Sequence, residues 1–184
     1  MNKENEMETI ILTGLDTNFQ SKIGKLLAQQ LNWPFYDLDE EVAKLIRRLP
    51  AGQLFNLSED QINQLMQHVL VDLLAKKEVV IAANSNIVDT HQNFHFLKNC
   101  EAVIIYLYDR FDSDRANYVA TKIVDDRNLG SLIVGTFHLI WELYDERYRN
   151  ISDLMVEVNG KKAEKVAKEI ATFISLEVGE DDFF

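Results

Sequence analysis

Short apolar runs with almost no polar interruption constrain this chain more than any other feature. Thr9–Thr13, Glu78–Ala83 and Ala102–Leu107 carry no polar alternation and are too short to be helices of ordinary length. Each therefore predicts a strand buried on both faces, the kind found inside a parallel sheet. Between them the apolar residues return at helical spacing. Ile23, Leu26 and Leu27 mark a helix over Gln20–Gln30, which Asn32-Trp33-Pro34 ends. Ser58 reads as a cap, followed by an acidic turn and a helix to Ala75 with Ile62, Leu65, Met66, Val69, Leu70, Leu73 and Leu74 on one face. Further strands are expected at Phe35–Asp37 and Leu154–Val158. Further helices are expected at Asp39–Ile46, His91–Leu97, Asp112–Lys122, Phe137–Tyr148 and Ala163–Ile174. Strands alternating with helices predict a three-layer α/β/α fold with a central five-stranded parallel sheet. It forms one domain over residues 9–174, with no internal repeat and no domain-sized linker. Residues 1–8 read as a frayed polar opening, and 175–184 as an acidic tail.

In that architecture ligands bind beyond the carboxyl ends of the strands. Four polar segments are expected there, at 14–21, 37–39, 84–86 and 109–115. The first follows a buried strand and opens a helix, the setting of a phosphate-binding loop of pattern Gly, four residues, Gly-Lys-Ser/Thr. Gly14 fits the first glycine and Ser21 the hydroxyl, while Phe19 replaces the second glycine and Gln20 the lysine. Gln20 can donate a hydrogen bond but brings no positive charge. Lys22 is the nearest cation, yet a two-residue step on a helix turns it about 200° from the site.

Charge narrows the partners. Nineteen basic against thirty acidic residues give a formal net charge of −11, which disfavours nonspecific contact with nucleic acid or anionic membrane. The single cysteine, Cys100, fits a reducing compartment, and there is neither a signal-peptide layout nor a membrane-length apolar run, so the cytoplasm is the expected location. His91 and His95 are four residues apart but have no carboxylate arrangement that would complete a metal site.

The order of these pieces resembles the shikimate kinase family over about residues 9–174, and its best-kept piece is Phe35-Tyr36-Asp37-Leu38-Asp39-Glu40-Glu41. The resemblance implies a P-loop kinase-like fold with a substrate-binding insert at about 39–75 and a lid at about 123–135. It also implies transfer of phosphate from ATP, with magnesium, to the 3-hydroxyl of shikimate. Asp37 would then lie near magnesium and Asp39 near the reacting hydroxyl, although acidic residues here also serve as helix caps. Gly14, Gln20 and Ser21 would face the nucleotide, Arg115 would stack on its base, and Arg127 in Arg127-Asn128-Leu129 would face phosphate from the lid. Tyr148 fits the family's tyrosine, and Ser152-Asp153 its following Ala-Asp with serine in place of alanine.

Other positions depart from the family. Ile62 and Asn63 stand at its Phe-Arg pair, and Asn84, Ser85 and Asn86 at its triple glycine. Tyr144 stands where a second substrate-binding arginine belongs, with Arg147 and Arg149 nearby as displaced replacements. Bidentate arginine–carboxylate contacts are geometrically specific, and neither asparagine nor tyrosine reproduces them. Two readings of function follow. The first is a noncatalytic shikimate kinase-like protein with a regulatory, interaction or ligand-binding role, acting on a small metabolite or a protein partner. The alternative is a small-molecule kinase working through an altered loop, with ATP and magnesium as its cofactors. Phe137, Trp141, Tyr144 and Tyr148 either line a more apolar cleft or pack as core.

Overall fold

In the computed structural model, residues 9–49, 57–83, 87–124 and 127–179 are described. Strand β1 (Thr9–Thr13) is buried along its whole length at the centre of the sheet. It pairs in parallel with β3 (Val80–Ala82), Ile11 opposite Ile81, and with β4 (Ala102–Tyr108), Ile11 opposite Ile104. Strand β2 (Phe35–Asp37) adds beside β3, and β5 (Leu154–Glu157) beside β4, giving the order β2-β3-β1-β4-β5. The expected parallel five-stranded sheet is thus present.

Its two faces bury separate cores, because successive strand residues point to opposite sides. Ile10, Leu12, Val80 and Ile105 meet helix α1 (Thr17–Leu31) and helix α7 (Ala163–Gly179) through Ile23, Leu27, Val166 and Ile170. Ile11, Ile81, Ile104 and Tyr106 face the other way. They pack with α2 (Leu38–Ile46), α3 (Glu59–Leu74), α4 (His91–Lys98) and α6 (Arg127–Ile151) through residues such as Leu38, Leu70, Leu97 and Tyr148. Helix α5 (Ser113–Ile123) packs on α6. The closeness of these layers is visible at Gly24 on α1, where a Cβ would lie 2.4 Å from the Phe35 ring.

The element ends follow local chemistry. Asn32 closes α1 in the left-handed region, at φ 57°, a conformation that asparagine tolerates. Ser58 and Gln61 form a reciprocal capping box at the start of α3. Asp153 accepts from the Ile104 amide at 2.8 Å and returns its own amide to the Ile104 carbonyl at 2.9 Å, joining the end of α6 to β4.

Two element boundaries differ from those expected. Within the segment read as lid-like, residues 127–135 belong to one continuous helix that runs to Ile151. Gly130 and Gly135 cost a helix only about 1 kcal/mol each, and Leu129, Leu132, Ile133 and Val134 continue its apolar pattern. The closing helix also extends beyond Ile174 to Gly179, into the segment read as a tail. Residues 1–8 and 180–184 lie outside the described residues. Among the described residues no helix is long and apolar enough to cross a membrane.

Candidate ligand cleft

At the carboxyl end of β1 the chain turns through Gly14 with φ +153°. A Cβ there would stand 2.6 Å from the Leu107 carbonyl oxygen and 3.1 Å from Gln20 Nε2, so the turn requires glycine. Helix α1 then starts at Thr17, ahead of the expected start at Gln20. Asp16 caps it, its Oδ1 accepting from the Phe19 amide at 3.0 Å and its carbonyl from the Gln20 amide at 3.0 Å. The segment that would have to stay open around a phosphate is a helical turn with its own carboxylate on the Phe19 amide. That carboxylate occupies the positive end of the helix dipole, the place where an anionic ligand would gain most.

Gln20, on the next turn, is 1% exposed, and neither its amide nitrogen nor its amide oxygen has a hydrogen-bond partner among the described residues. Leaving such a group unmet costs about 1–3 kcal/mol for each donor or acceptor. Lys22 does not supply the missing charge. Its side chain is 61% exposed and lies 3.7 Å from Glu164. The Glu164 carboxyl is held below the usual range by its own backbone amide first and by Lys22 second.

A different chemistry persists at the carboxyl end of β2. The Ser21 hydroxyl donates to Asp37 Oδ2, and Asp37 Oδ1 accepts from the Glu40 amide at 3.2 Å, capping α2. One hydroxyl and one carboxylate side by side are oxygen donors suited to a hard cation such as magnesium. Asp39 lies exposed in the first turn of α2. Among the described residues no group of three or more His, Cys, Asp or Glu side chains converges on a common point. His91 and His95 meet each other on α4, Nε2 to Nε2 at 3.1 Å.

A cavity of about 690 Å³ opens over the first turn of α1, with Leu15, Phe19 and Gln20 on one side and Phe111, Phe137 and Trp141 on another. The Phe111 and Trp141 rings are 6.1 Å apart, and His138 stacks on Trp141 at 6.3 Å. Three cations line the cavity, Arg110, Arg115 and Lys161, against three carboxylates, Asp16, Asp109 and Asp112. Arg110 is paired with Glu157 at 3.0 Å and Lys161 with Glu169 at 2.8 Å. The Arg115 guanidinium is exposed, and its backbone amide donates to Asp112 Oδ1 at 2.8 Å, the cap of α5. The oxygen donors by β2 therefore fit magnesium, and in the cavity the three cations are balanced by three carboxylates.

The aromatics divide between the two roles expected of them. Phe137 and Trp141 line the cavity, whereas Tyr148 is buried core, stacked on Tyr106 at 5.1 Å. Burial, first of all, raises the phenols of Tyr106 and Tyr148 far above the usual value; at Tyr106 the hydrogen bond to Asp145 at 2.8 Å adds to it. Tyr144 is half-buried outside the cavity. Its phenol is pushed up to about 12 by burial and then by its hydrogen bond to Asp89. Arg147 stands beside that pair, 3.5 Å from Asp89 and donating to the Val88 carbonyl at 3.3 Å. Arg149 points elsewhere, to Asp145 at 2.6 Å and over the Tyr108 ring at 5.2 Å. Of the displaced arginines, then, Arg147 is the one near the end of β3.

Asn63 is half-buried on α3 and does not line the cavity. Asn84, Ser85 and Asn86 lie outside the described residues, as does the side chain of Arg127, whose backbone begins α6. The sequence reading missed Asp16, although an aspartate three residues ahead of Phe19 is a recognisable cap signal. It also missed Phe111 and Lys161, for which position in the chain gives no signal.

Comparison with known proteins gives a consistent result. The family model described as "Shikimate kinase" matches residues 20–175. Shikimate kinase of Aquifex aeolicus (strain VF5) is 31% identical over 170 residues, covering 91% of this chain and 95% of that protein. Shikimate kinase 1 of Escherichia fergusonii is 28% identical over 169 residues, covering 90% of this chain and 95% of that protein. The structure of shikimate kinase from Acinetobacter baumannii in complex with shikimate is similar at TM-score 0.70 and 21% identity, covering 95% of this chain and 96% of that one, a likeness of fold. The crystal structure of the A. aeolicus enzyme is similar at TM-score 0.66 and 28% identity, covering 92% of this chain and 96% of that one.

Proposed function

The chain belongs to the shikimate kinase family, and from that premise we propose that it keeps a ligand cleft while phosphorylating shikimate weakly or not at all. Its role is then ligand binding, regulation or interaction. The observation that carries this reading is the first turn of α1, where Asp16 occupies the amide of Phe19. A phosphoryl donor needs positive charge and open amides where charge develops in the transition state. Here an anion holds the helix end and the neutral Gln20 stands in the lysine position. Asn63 and Tyr144, at positions where the resemblance implies arginines, supply no guanidinium for a substrate carboxylate.

The test is a coupled assay of shikimate phosphorylation with magnesium and ATP, run beside ATP calorimetry with and without magnesium. The expected outcome is no turnover above background in a folded sample. Turnover that disappears in Asp37→Ala would overturn the reading.

The comparisons favour the second reading, a kinase with an altered loop, because relatives named shikimate kinase align along nearly their whole length. The contact of Ser21 with Asp37 supports it too. In that case these two side chains would hold magnesium, which would supply charge to offset phosphate. Asp39 and Arg127 would be the remaining candidates for handling the hydroxyl and the phosphate. Magnesium-dependent ATP binding lost in both Asp37→Ala and Arg127→Ala would favour it.

A further inference from the structure

We propose that His91 and His95 form a two-ligand site for a divalent transition-metal ion of the zinc, nickel or copper kind, on the exposed face of α4. The proposal stands apart from either reading of the cleft. Residues four apart on a helix lie one above the other, so both imidazoles leave α4 on the same side. Both are exposed, and their Nε2 atoms stand 3.1 Å apart. Bonds from such an ion to imidazole nitrogen are about 2.0–2.1 Å long, so two nitrogens on one ion are about 2.9 Å apart at a right angle and about 3.4 Å at the tetrahedral angle. The observed gap falls between those limits. The ring centres are 4.2 Å apart, little farther than the nitrogens. The rings therefore lie side by side, whereas an N–H···N bond favours a straight approach along the nitrogen–nitrogen line.

The backbone beneath the pair is fixed. Asn93 and Leu97 are buried, which sets the rotation of α4 and leaves positions 91 and 95 outside. Thr90 caps the first turn through the Asn93 amide at 3.1 Å, and Gln92 donates to Gln67 on α3 at 2.9 Å. The His95 ring also packs edge-on against Phe94, with centres 5.9 Å apart. A site held this way has less freedom to lose when an ion arrives. Among the described residues no third His, Cys, Asp or Glu joins the pair, so water would fill the remaining positions. Neutral imidazole suits zinc, nickel and copper, while magnesium prefers oxygen, as at Ser21 and Asp37. The other two histidines also have a partner four residues on, but it is a carboxylate: His68 faces Asp72 at 3.6 Å and His138 faces Glu142 at 3.7 Å. The ion would staple the first turn of α4, which follows closely on Asp89, the partner of Arg147.

Calorimetry on the untagged full chain with nickel chloride tests this, at about pH 7.5, where an ordinary imidazole is mostly neutral. The expected result is a single ion bound per chain. His91→Gln and His95→Gln should each weaken it at least about tenfold, because the second attachment is lost. His68→Gln and His138→Gln should leave it unchanged. Magnesium in excess should not displace nickel. Nickel should also raise the melting temperature of the wild type and leave that of His95→Gln unchanged. All four substitutions are at exposed positions, and circular dichroism checks that each variant folds. No nickel binding, binding that survives both His91→Gln and His95→Gln, or an equal loss in His68→Gln would each overturn the proposal.

Discussion

The carboxyl ends of β1 and β2 are separated by one strand, β3, and have kept different things. At β2 the Ser21–Asp37 contact leaves oxygen donors of the sort a divalent cation uses, in the segment where the family resemblance is best kept. At β1 the backbone path survives through Gly14, but the turn after it is a capped helix with Asp16 on the Phe19 amide and the Gln20 side-chain amide unmet among the described residues. The difference teaches that a sheet holds the position of its loops independently of the loops' chemistry. Burial of Ile10, Ile11 and Leu12 fixes where β1 ends, and nothing in that packing depends on a lysine or a second glycine.

The comparison breaks most severely at Gly14. Gly14→Val should destabilise the fold by about 3 kcal/mol, because a Cβ would press on the Leu107 carbonyl at a φ that valine avoids. Urea unfolding followed by circular dichroism measures it; a loss below 1 kcal/mol would mean that the turn rearranges freely. Asp37→Ala comes next. It removes both the α2 cap and the partner of Ser21, with an expected loss of about 2 kcal/mol and disappearance of any manganese binding seen by electron paramagnetic resonance.

Asp16→Ala sharpens the contrast from the other end. It should lose about 1 kcal/mol as a cap is removed, yet gain affinity for inorganic phosphate as the helix end is freed. Unchanged phosphate affinity would show that the cap is not what keeps anions out.

Smaller effects lie outside the cleft. An ordinary phenol releases its proton near pH 10, whereas folded Tyr144 holds it to about 12. The unfolded chain therefore deprotonates first, and stability falls as pH rises through that interval. Tyr144→Phe should flatten part of this decline in melting temperature, with the rest following Tyr106 and Tyr148, which are raised in the same direction. The smallest effect belongs to Lys22→Ala, expected within about 0.5 kcal/mol of wild type because its pair with Glu164 is solvated on both sides. A larger loss in chemical denaturation would give Lys22 a structural role that its exposure argues against.

Much of the fold was legible in the sequence because its signals were redundant. Ile23, Leu26 and Leu27 sit at helical spacing, the Ser58 cap precedes a broad apolar face, and the run Ala102–Leu107 has no other stable home than a buried strand. The site was legible only as a list of positions. Matching residues to a loop pattern from Gly14 to Ser21 hid the simpler local fact that Asp16 caps a helix starting at Thr17. The helix start at Arg127 was not legible for a related reason, since the mixed composition around Arg127-Asn128-Leu129 hid the apolar residues that carry α6 on from it. The cavity wall combines Phe111, Trp141 and Lys161 from separate parts of the chain, which only packing brings together.

The strand order has a kinetic consequence. The centre of the sheet is the first strand to be made, yet its partners come much later: Ile10 lies against Val80, and Thr13 against Tyr106. Until β3 has emerged during synthesis β1 is an apolar segment with both edges unpaired, and until β4 has emerged one edge stays open. Pairings this distant in sequence slow folding and lengthen the time for which a sticky strand is available to other chains. Such a topology makes early synthesis the period of greatest aggregation risk, however stable the finished protein is.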